Sequence, residues 1–321
     1  MNILILSVGT RNKIVQYFKK ELDGKGLVIA TDASELAPAL YDADKHYIVP
    51  RIDADEYIGT IKKICIENNV KGLLSLIDPE LSILAKAKQE FIDIGVTPII
   101  SDLNQVDLCF DKFLFNERLK KLGFNAIRSY IDKEQFFHDV EKGIISYPVF
   151  VKPICGSASI NISKAHSKEE VEFLFKRYDN LMIQEFMNGK EYGVDVYIDM
   201  ISNKPTAIFI KEKLLMRAGE TDKSVSVHDK ELEAIIIKFV SKMEFKGVID
   251  IDIFKVNNKY YISEVNPRFG GGYPHAYECG VNIPKLIMRN ILGYKCDDNN
   301  ISYDEGIYMM KYNDLKIINK V

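Results

Sequence analysis

The chain has 321 residues, of which 47% are apolar and 28% charged, and a formal net charge of −3. That length allows a sizeable core split into two or three compact units, and a charge so close to balance gives no general reason to expect nucleic acid or an anionic membrane as partner. The five cysteines, Cys65, Cys109, Cys155, Cys279 and Cys296, are odd in number and form no CxxC pair, which argues for reduced thiols in a cytoplasmic protein and against a zinc site.

Met1 to Leu6 is apolar but breaks at Ser7 to Arg11, too short for a signal peptide or a membrane span, and reads as a first buried strand. Further strands are expected at Leu27–Thr31, His46–Val49, Gly72–Ser75 and Thr97–Ile99, and helices at Lys13–Leu22, Asp55–Asn68 and Pro79–Ile94. Strands alternating with helices imply a mostly parallel sheet with helical crossovers. The first turn, Ser7 to Asn12, holds one glycine, so the dinucleotide fingerprint GxGxxG is absent. Asp32 after the second strand reads as a turn cap, with ribose binding as the alternative. Asp78-Pro79-Glu80 reads as a helix start with Asp78 as cap, or as a point of substrate contact.

A helical segment from Asp107 to Leu122 ends at Gly123, followed by strands at Ala126–Tyr130 and Val149–Lys152. Lys152 closes an apolar strand, and Cys155-Gly156-Ser157-Ala158-Ser159-Ile160-Asn161 then supplies small residues. Such a loop bends over an anion and offers backbone N–H groups, with Lys152 as a point charge for phosphate oxygens; a plain surface turn would look the same. Leu181 to Met187 reads as a strand. It opens at Asn188-Gly189, with backbone around Glu185 to Met187 suited to an adenine edge, Phe186 or Met187 to its ring, and Glu191 to a ribose hydroxyl.

The acidic pattern near the carboxyl end is the most informative. Gly247 to Phe254 and Tyr260 to Arg268 are apolar runs around a polar turn, which predicts a β-hairpin. Glu264 and Asn266 share a face because strand side chains alternate. With an odd loop, Asn257 to Lys259, Asp252 falls opposite Glu264. Three oxygen donors then converge, without Cys or His, as magnesium or manganese sites require. The competing reading is a solvated hairpin with acids on its wet side. Arg217 lies in a charged stretch after the strand Ala207–Ile210, Arg268 directly follows the acidic strand, and Phe269 to Tyr273 is glycine-rich. Three glycines permit close backbone approach to a ligand. His275, without a visible carboxylate partner, reads as packing or substrate contact.

Taken in order, Asp111-Lys112, Val151-Lys152-Pro153, Gly156 to Ser159, Gln184-Glu185-Phe186, Glu191, Asp252 and Glu264-Val265-Asn266-Pro267-Arg268 resemble the ATP-grasp superfamily. The likeness is to single-module proteins similar to a piece of the carbamoyl-phosphate synthase large subunit. It implies a Rossmann-like N-terminal domain over 1–105, a small ATP-grasp lobe with its connecting helix over 106–187, and a large lobe with metal site and strand-containing tail over 188–321. It further implies ATP bound by Lys112, Lys152, Gly156, Ser157, Ser159, Gln184, Glu185, Phe186, Met187 and Glu191, and magnesium held by Asp252, Glu264 and Asn266. Arg268 and Arg217 are then the catalytic cations. Asn161 stands where relatives often have glycine.

Enzymes of that superfamily phosphorylate a carboxylate and let an amine attack the acyl phosphate. The expectation is therefore an ATP-dependent carboxylate–amine ligase using small carboxylate and amine substrates, open to a homodimer. The alternatives are phosphorylation of bicarbonate or carbamate, and an ATP-binding sensor without turnover.

Overall fold

The computed structural model describes residues 1–156, 162–296 and 302–319. Its first unit is a five-stranded parallel sheet of β1 (Asn2–Leu6), β2 (Val28–Asp32), β3 (Lys45–Ile48), β4 (Val70–Ser75) and β5 (Thr97–Pro98), in the order β3-β2-β1-β4-β5. Ile3 to Leu6 are fully buried, as expected of a parallel sheet covered on both faces. The helices are α1 (Asn12–Leu22), α2 (Tyr57–Glu67), α3 (Asp78–Lys86) and α4 (Lys88–Asp93); Ala87 interrupts what the sequence suggests as one helix. The winding direction reverses between β1 and β4, which leaves a crevice outside their carboxyl ends. Ser7–Arg11 and Leu76–Asp78 form its rim. Asp32 caps its turn as expected, accepting Ser34 N at 2.9 Å and also Gly9 N at 2.8 Å.

The expected helix from Asp107 to Leu122 is two helices, α5 (Leu103–Phe110) and α6 (Lys112–Lys121). Asp111 between them is extended and its carboxylate accepts Leu114 N at 2.8 Å, so it ends one helix and caps the next. Phe115 and Leu119 of α6 pack into the core of the large lobe. By packing, then, the connecting helix belongs with the large lobe rather than the small one.

The small lobe is an antiparallel sheet of β6 (Ser129–Tyr130), β7 (Val149–Pro153), β8 (Ser163–Ala165) and β9 (Leu181–Glu185), in the order β6-β9-β7-β8, covered by α7 (Lys133–Glu141) and α8 (Lys168–Arg177). It has its own core around Phe136, Val149, Val151 and Ile183.

The large lobe is a six-stranded sheet of β10 (Lys190–Ile198), β11 (Pro205–Arg217), β12 (Glu220–Ser226), β13 (Gly247–Val256), β14 (Lys259–Asn266) and β15 (Tyr308–Met310), ordered β14-β13-β10-β11-β12-β15. Helix α9 (Lys230–Met243) covers one face, with Phe239 and Val240 against Val194, Val196, Ile249 and Ile251. Helices α10 (Tyr273–Glu278) and α11 (Ile283–Ile291) turn back to the first unit, where Tyr273, Tyr277 and Ile287 share a core with Ile3, Val15 and Phe18. The first unit is thus fused to the large lobe by apolar burial, the dominant favourable term in such contacts.

The acidic hairpin has a different loop from the one expected. Only Asn257 and Asn258 form it, both with positive φ (49° and 58°), and Val256 pairs with Lys259. Asparagine tolerates this conformation, and two such residues make the tight turn that fits strand twist. Alone, that loop would place Asp252 opposite Ser263. A bulge between Ile253 and Asp252 instead lets Ser263 stand as an extra residue, so Asp252 pairs with Glu264 and Asp250 with Asn266.

Candidate functional site

The face of the large sheet away from α9 carries the charged groups. Tyr260, Ile262 and Val265 enter the core, and the bulge is what allows Ile262 and Val265, three apart, to do so together. Glu264 and Asn266 consequently join Asp252 and Asp250 on the opposite face. On β10, Gly193 lies opposite Asp252, and Asp195 opposite Asp250. Across the strand on its other side run Lys211 and Lys213, whose stems lie over Gly193; a Cβ there would come within 3.1 Å of both.

The charged stretch containing Lys211 and Lys213 is not a solvated face. It is the second half of β11, and Lys211 is fully buried, paired with the equally buried Asp195. Lys213 Nζ reaches Asp252 Oδ1 at 2.6 Å and Glu191 Oε1 at 2.9 Å. Burial works to lower its pKa, but Asp252, Glu191 and Asp250 outweigh that and hold it above the ordinary lysine range. Asp250 is pushed up by burial first, then by the like charges of Asp252 and Asp195. Neither lysine was singled out by sequence reasoning. The available signal was their i, i+2 spacing, which puts both on one strand face.

The two lysines expected to reach phosphate come from the small lobe and from α6. Lys152 on β7 is buried and donates to Gln184 Oε1 at 2.7 Å, and Gln184 in turn donates to Ser129 Oγ at 3.0 Å. Burial is the main reason its pKa falls to about 8; Lys112 adds to the fall while Glu264 opposes it. Lys112 Nζ donates to the carbonyl of Gly156, the last described residue before the small-residue loop, at φ +120°. Ser157, Ser159 and Asn161 lie outside the described residues. Strand β9 ends at Glu185, so Phe186 and Met187 carry backbone groups outside any ladder. Phe186 lies 5.5 Å from Phe150 and beneath Lys164 Nζ at 3.8 Å.

Arg268 is buried and bound to the first unit: its Nη2 lies 2.7 Å and its Nε 3.2 Å from Asp78 Oδ2. Asp78 is therefore not a helix cap. Ile77 precedes the first helical position, and the Asp78 carboxylate turns to Arg268 instead. Arg217 does not join this group. It is 62% exposed at the tip of the β11–β12 hairpin, 3.6 Å from Asp222. Arg11, from the turn after β1, stands nearer: it pairs with Glu220 at 2.8 Å and feels the charges of Arg268, Asp250 and Asp78. The three glycines serve these side chains. A Cβ on Gly270, Gly271 or Gly272 would press on Asp250, Glu220 or Lys211 respectively, each within 2.7 Å.

Two carboxylates and one amide are a hard donor set of the kind that binds magnesium together with substrate phosphates. Asp252 already holds the ammonium of Lys213 at 2.6 Å, so the site attracts a cation. Asp252, Glu264 and Asn266 fit a divalent ion, although among the described residues no three His, Cys, Asp or Glu side chains stand at metal-binding spacing.

A model described as "ATP-grasp domain" matches residues 109–272, more than half of the chain. The chain belongs to the ATP-grasp family. A "PylC-like, N-terminal domain" matches residues 3–99, the parallel-sheet unit. Among ATP-grasp relatives, a D-alanine–D-alanine ligase of Acetivibrio thermocellus is 28% identical over 236 residues, covering 62% of this chain and 61% of that protein. A carbamoyl-phosphate synthase of Methanobrevibacter smithii is 25% identical over 293 residues, covering 87% and 77%. The chain thus spans about three fifths of the first and three quarters of the second. In fold, the biotin carboxylase domain of Hydrogenobacter thermophilus 2-oxoglutarate carboxylase, a dimer in complex with MgADP, ADP and bicarbonate, superposes with a TM-score of 0.76. It shares 16% identity and covers 96% of this chain and 73% of that one. Among the described residues no helix is long and apolar enough to cross a membrane.

Proposed function

We propose that this ATP-grasp chain is an ATP- and magnesium-dependent carboxylate–amine ligase. It activates a small carboxylic acid or amino acid as an acyl phosphate, an amine then displaces the phosphate to form the amide, and ADP and phosphate are released. The observation that carries the reading is the pairing of Asp252 with Glu264 and of Asp250 with Asn266 on one sheet face, with the small-lobe Lys152 close enough to feel Glu264, Asp252 and Lys112. Magnesium held by Asp252, Glu264 and Asn266 would neutralise phosphate charge when bound.

The chain's own residues then divide the work. Lys112 and Lys152 hold phosphate oxygens, the latter aimed by Gln184. Glu191 accepts from the ribose, and backbone at Glu185 to Met187 meets the adenine edge. Arg268, fixed against Asp78, stands directly after the acidic strand and steadies the negative charge that develops on the acyl group. Arg217 has no place in this arrangement, and Arg11 is the better second cation.

The test is ADP release from ATP and Mg²⁺ with pooled amino acids and small carboxylates, with and without hydroxylamine, using Glu264→Gln as control. Acceptor-dependent ADP with hydroxamate formation is the expected result. Stimulation by bicarbonate alone would establish the carbamoyl-phosphate-synthase-like reaction instead, and tight ATP binding without any turnover would establish a sensor.

A further inference from the structure

Glu220 stands as a bound carboxylate ligand would. It opens β12, directly after the tight tip at Ala218 and Gly219, both at positive φ, and its two oxygens go to different cations. Oε1 lies 2.8 Å from Arg11 Nη2, in the turn after β1. Oε2 lies 2.7 Å from Lys311 Nζ, just past β15. A guanidinium and an ammonium converging on one carboxylate make charge-assisted hydrogen bonds from two sides, an arrangement suited to reading a carboxylate ligand. Arg268 is near enough for both Arg11 and Glu220 to feel its charge, but it is committed to Asp78. Glu220 therefore supplies the negative charge between Arg11 and Lys311.

The arrangement is open and lightly held. The side chains of Arg11, Lys311 and Glu220 are 22%, 30% and 35% exposed, so small solutes reach all three. Leu214, Leu215 and Met216, which lead to the tip, are exposed and bury nothing that would anchor the hairpin. Ion pairs this accessible are weak and screened by salt. The Glu220 carboxylate also fills the space that Gly271 leaves, since a Cβ there would come within 2.7 Å of its Cδ. That glycine run follows Arg268 in the chain, so an internal carboxylate occupies ground where bare backbone lets a substrate approach.

We propose that Arg11 and Lys311 form the subsite for a carboxylate of the acid substrate, and that Glu220 occupies it as a built-in competitor until the substrate displaces it. The catalytic meaning of the subsite rests on the ligase reading, whereas carboxylate binding does not. Displacement exchanges one carboxylate for another, so the charge beside Arg268 is conserved, and Glu220 turns toward solvent from the unanchored tip. The substrate competes against a group tethered in the same molecule, whose effective concentration is high. Glu220 thus sets how much free acid the protein needs before it binds.

The experiment uses propionate and succinate as probes, titrated at constant ionic strength into the whole chain without nucleotide. Saturation-transfer NMR reads probe binding, and the side-chain carboxyl resonance of Glu220, assigned by its absence in Glu220→Gln, reads displacement. The expected result is that Glu220→Gln, of the same size, binds a probe at least fivefold more tightly than the parent, and Arg11→Gln at least fivefold more weakly. In the parent the Glu220 resonance should shift along the binding curve. Binding of propionate would mark the subsite as that of the activated carboxylate, and binding of succinate alone as that of a second carboxylate on the same acid; both support it. Glu212→Gln is the control, because it removes the same charge from the face of β11 that lies with Tyr192, away from Lys211 and Lys213, and should leave affinity within twofold. An equal gain in both glutamine variants would show only a general loss of repulsion and overturn the proposal. So would unchanged or weaker binding in Glu220→Gln, or failure of both parent and Glu220→Gln to bind either probe. ADP release is measured separately. Displacement of Glu220 in a chain that releases no ADP with any carboxylate leaves the subsite standing and removes the ligase reading, whereas acceptor-dependent ADP release without a gain in Glu220→Gln removes the subsite alone.

Discussion

Asp252 stands opposite Glu264 because Ser263 is an extra residue in its strand. The two-residue turn at Asn257-Asn258 by itself pairs Asp252 with Ser263, and strict alternation beyond Ile262 would then send Glu264 into the core. The bulge reverses the parity once, and the acidic and amide donors of two strands meet on one face.

Deleting Ser263 should remove the bulge and keep the facing of the site. Ile262 and Val265 would then stand two apart on the core face, with Glu264 still opposite Asp252. The expected outcome is magnesium-dependent ADP release within about tenfold of the parent, whereas Glu264→Gln should lose it by about 100-fold with the fold intact. Circular dichroism melts beside ADP assays separate loss of fold from loss of the site; a folded deletion variant as inactive as Glu264→Gln would show that the extra residue does more than set the parity of the strand.

Lys213 acts as an internal cation between Glu191 and Asp252. Lys213→Met leaves two partly buried carboxylates without their partner, and should cost about 1–3 kcal/mol after allowance for their partial exposure. Magnesium should recover more stability in the variant than in the parent, because Asp252 no longer holds a competing ammonium. Urea unfolding with and without Mg²⁺ measures both quantities.

Lys152 should make nucleotide binding depend on pH. Burial lowers its pKa from an ordinary 10.5 to about 8, so its charge is present below pH 8 and lost above it. ADP affinity should weaken between pH 7 and 9, and Lys152→Met should bind ADP more weakly and without that dependence. Between pH 8 and 10.5 the unfolded chain binds more protons at this residue than the folded one. The nucleotide-free protein should consequently gain stability from Lys152 as pH rises through that window, up to about 3 kcal/mol. Isothermal titrations at several pH values test the first statement and urea melts the second.

His275 contributes stability with the opposite pH sense to a paired histidine. Its Nε2 lies 3.0 Å from the Ile307 carbonyl, which can only accept, so that nitrogen carries the proton and Nδ1 accepts from Ser224 Oγ at 2.8 Å. Burial, reinforced by the Lys211 charge, lowers its pKa to about 4. Below the unfolded value of about 6.5 the unfolded state takes up protons that the folded state refuses, and stability falls as pH drops toward 4, by up to about 3 kcal/mol. The slope of stability against pH in this window should flatten in His275→Gln; an unchanged slope would assign it to other groups.

The sequence alone was enough for the parts of this protein that rest on local pattern. Apolar strands such as Ile3 to Leu6, the hairpin around Asn257-Asn258, and the motif order closing on Glu264 to Arg268 each depend on residues close in the chain, where periodicity and turn chemistry act directly. Pairing across distance was decided by tertiary structure. Ser263 becomes a bulge only against β13, Lys213 becomes a site residue only when β11 lies beside β10, and Arg268 finds Asp78 190 residues away. Arg11 rather than Arg217 stands near Arg268 and Asp250 for the same reason: a guanidinium is an equally good cation anywhere in the sequence, and only the packing of the first sheet on the large lobe determines which one lies beside the acidic face.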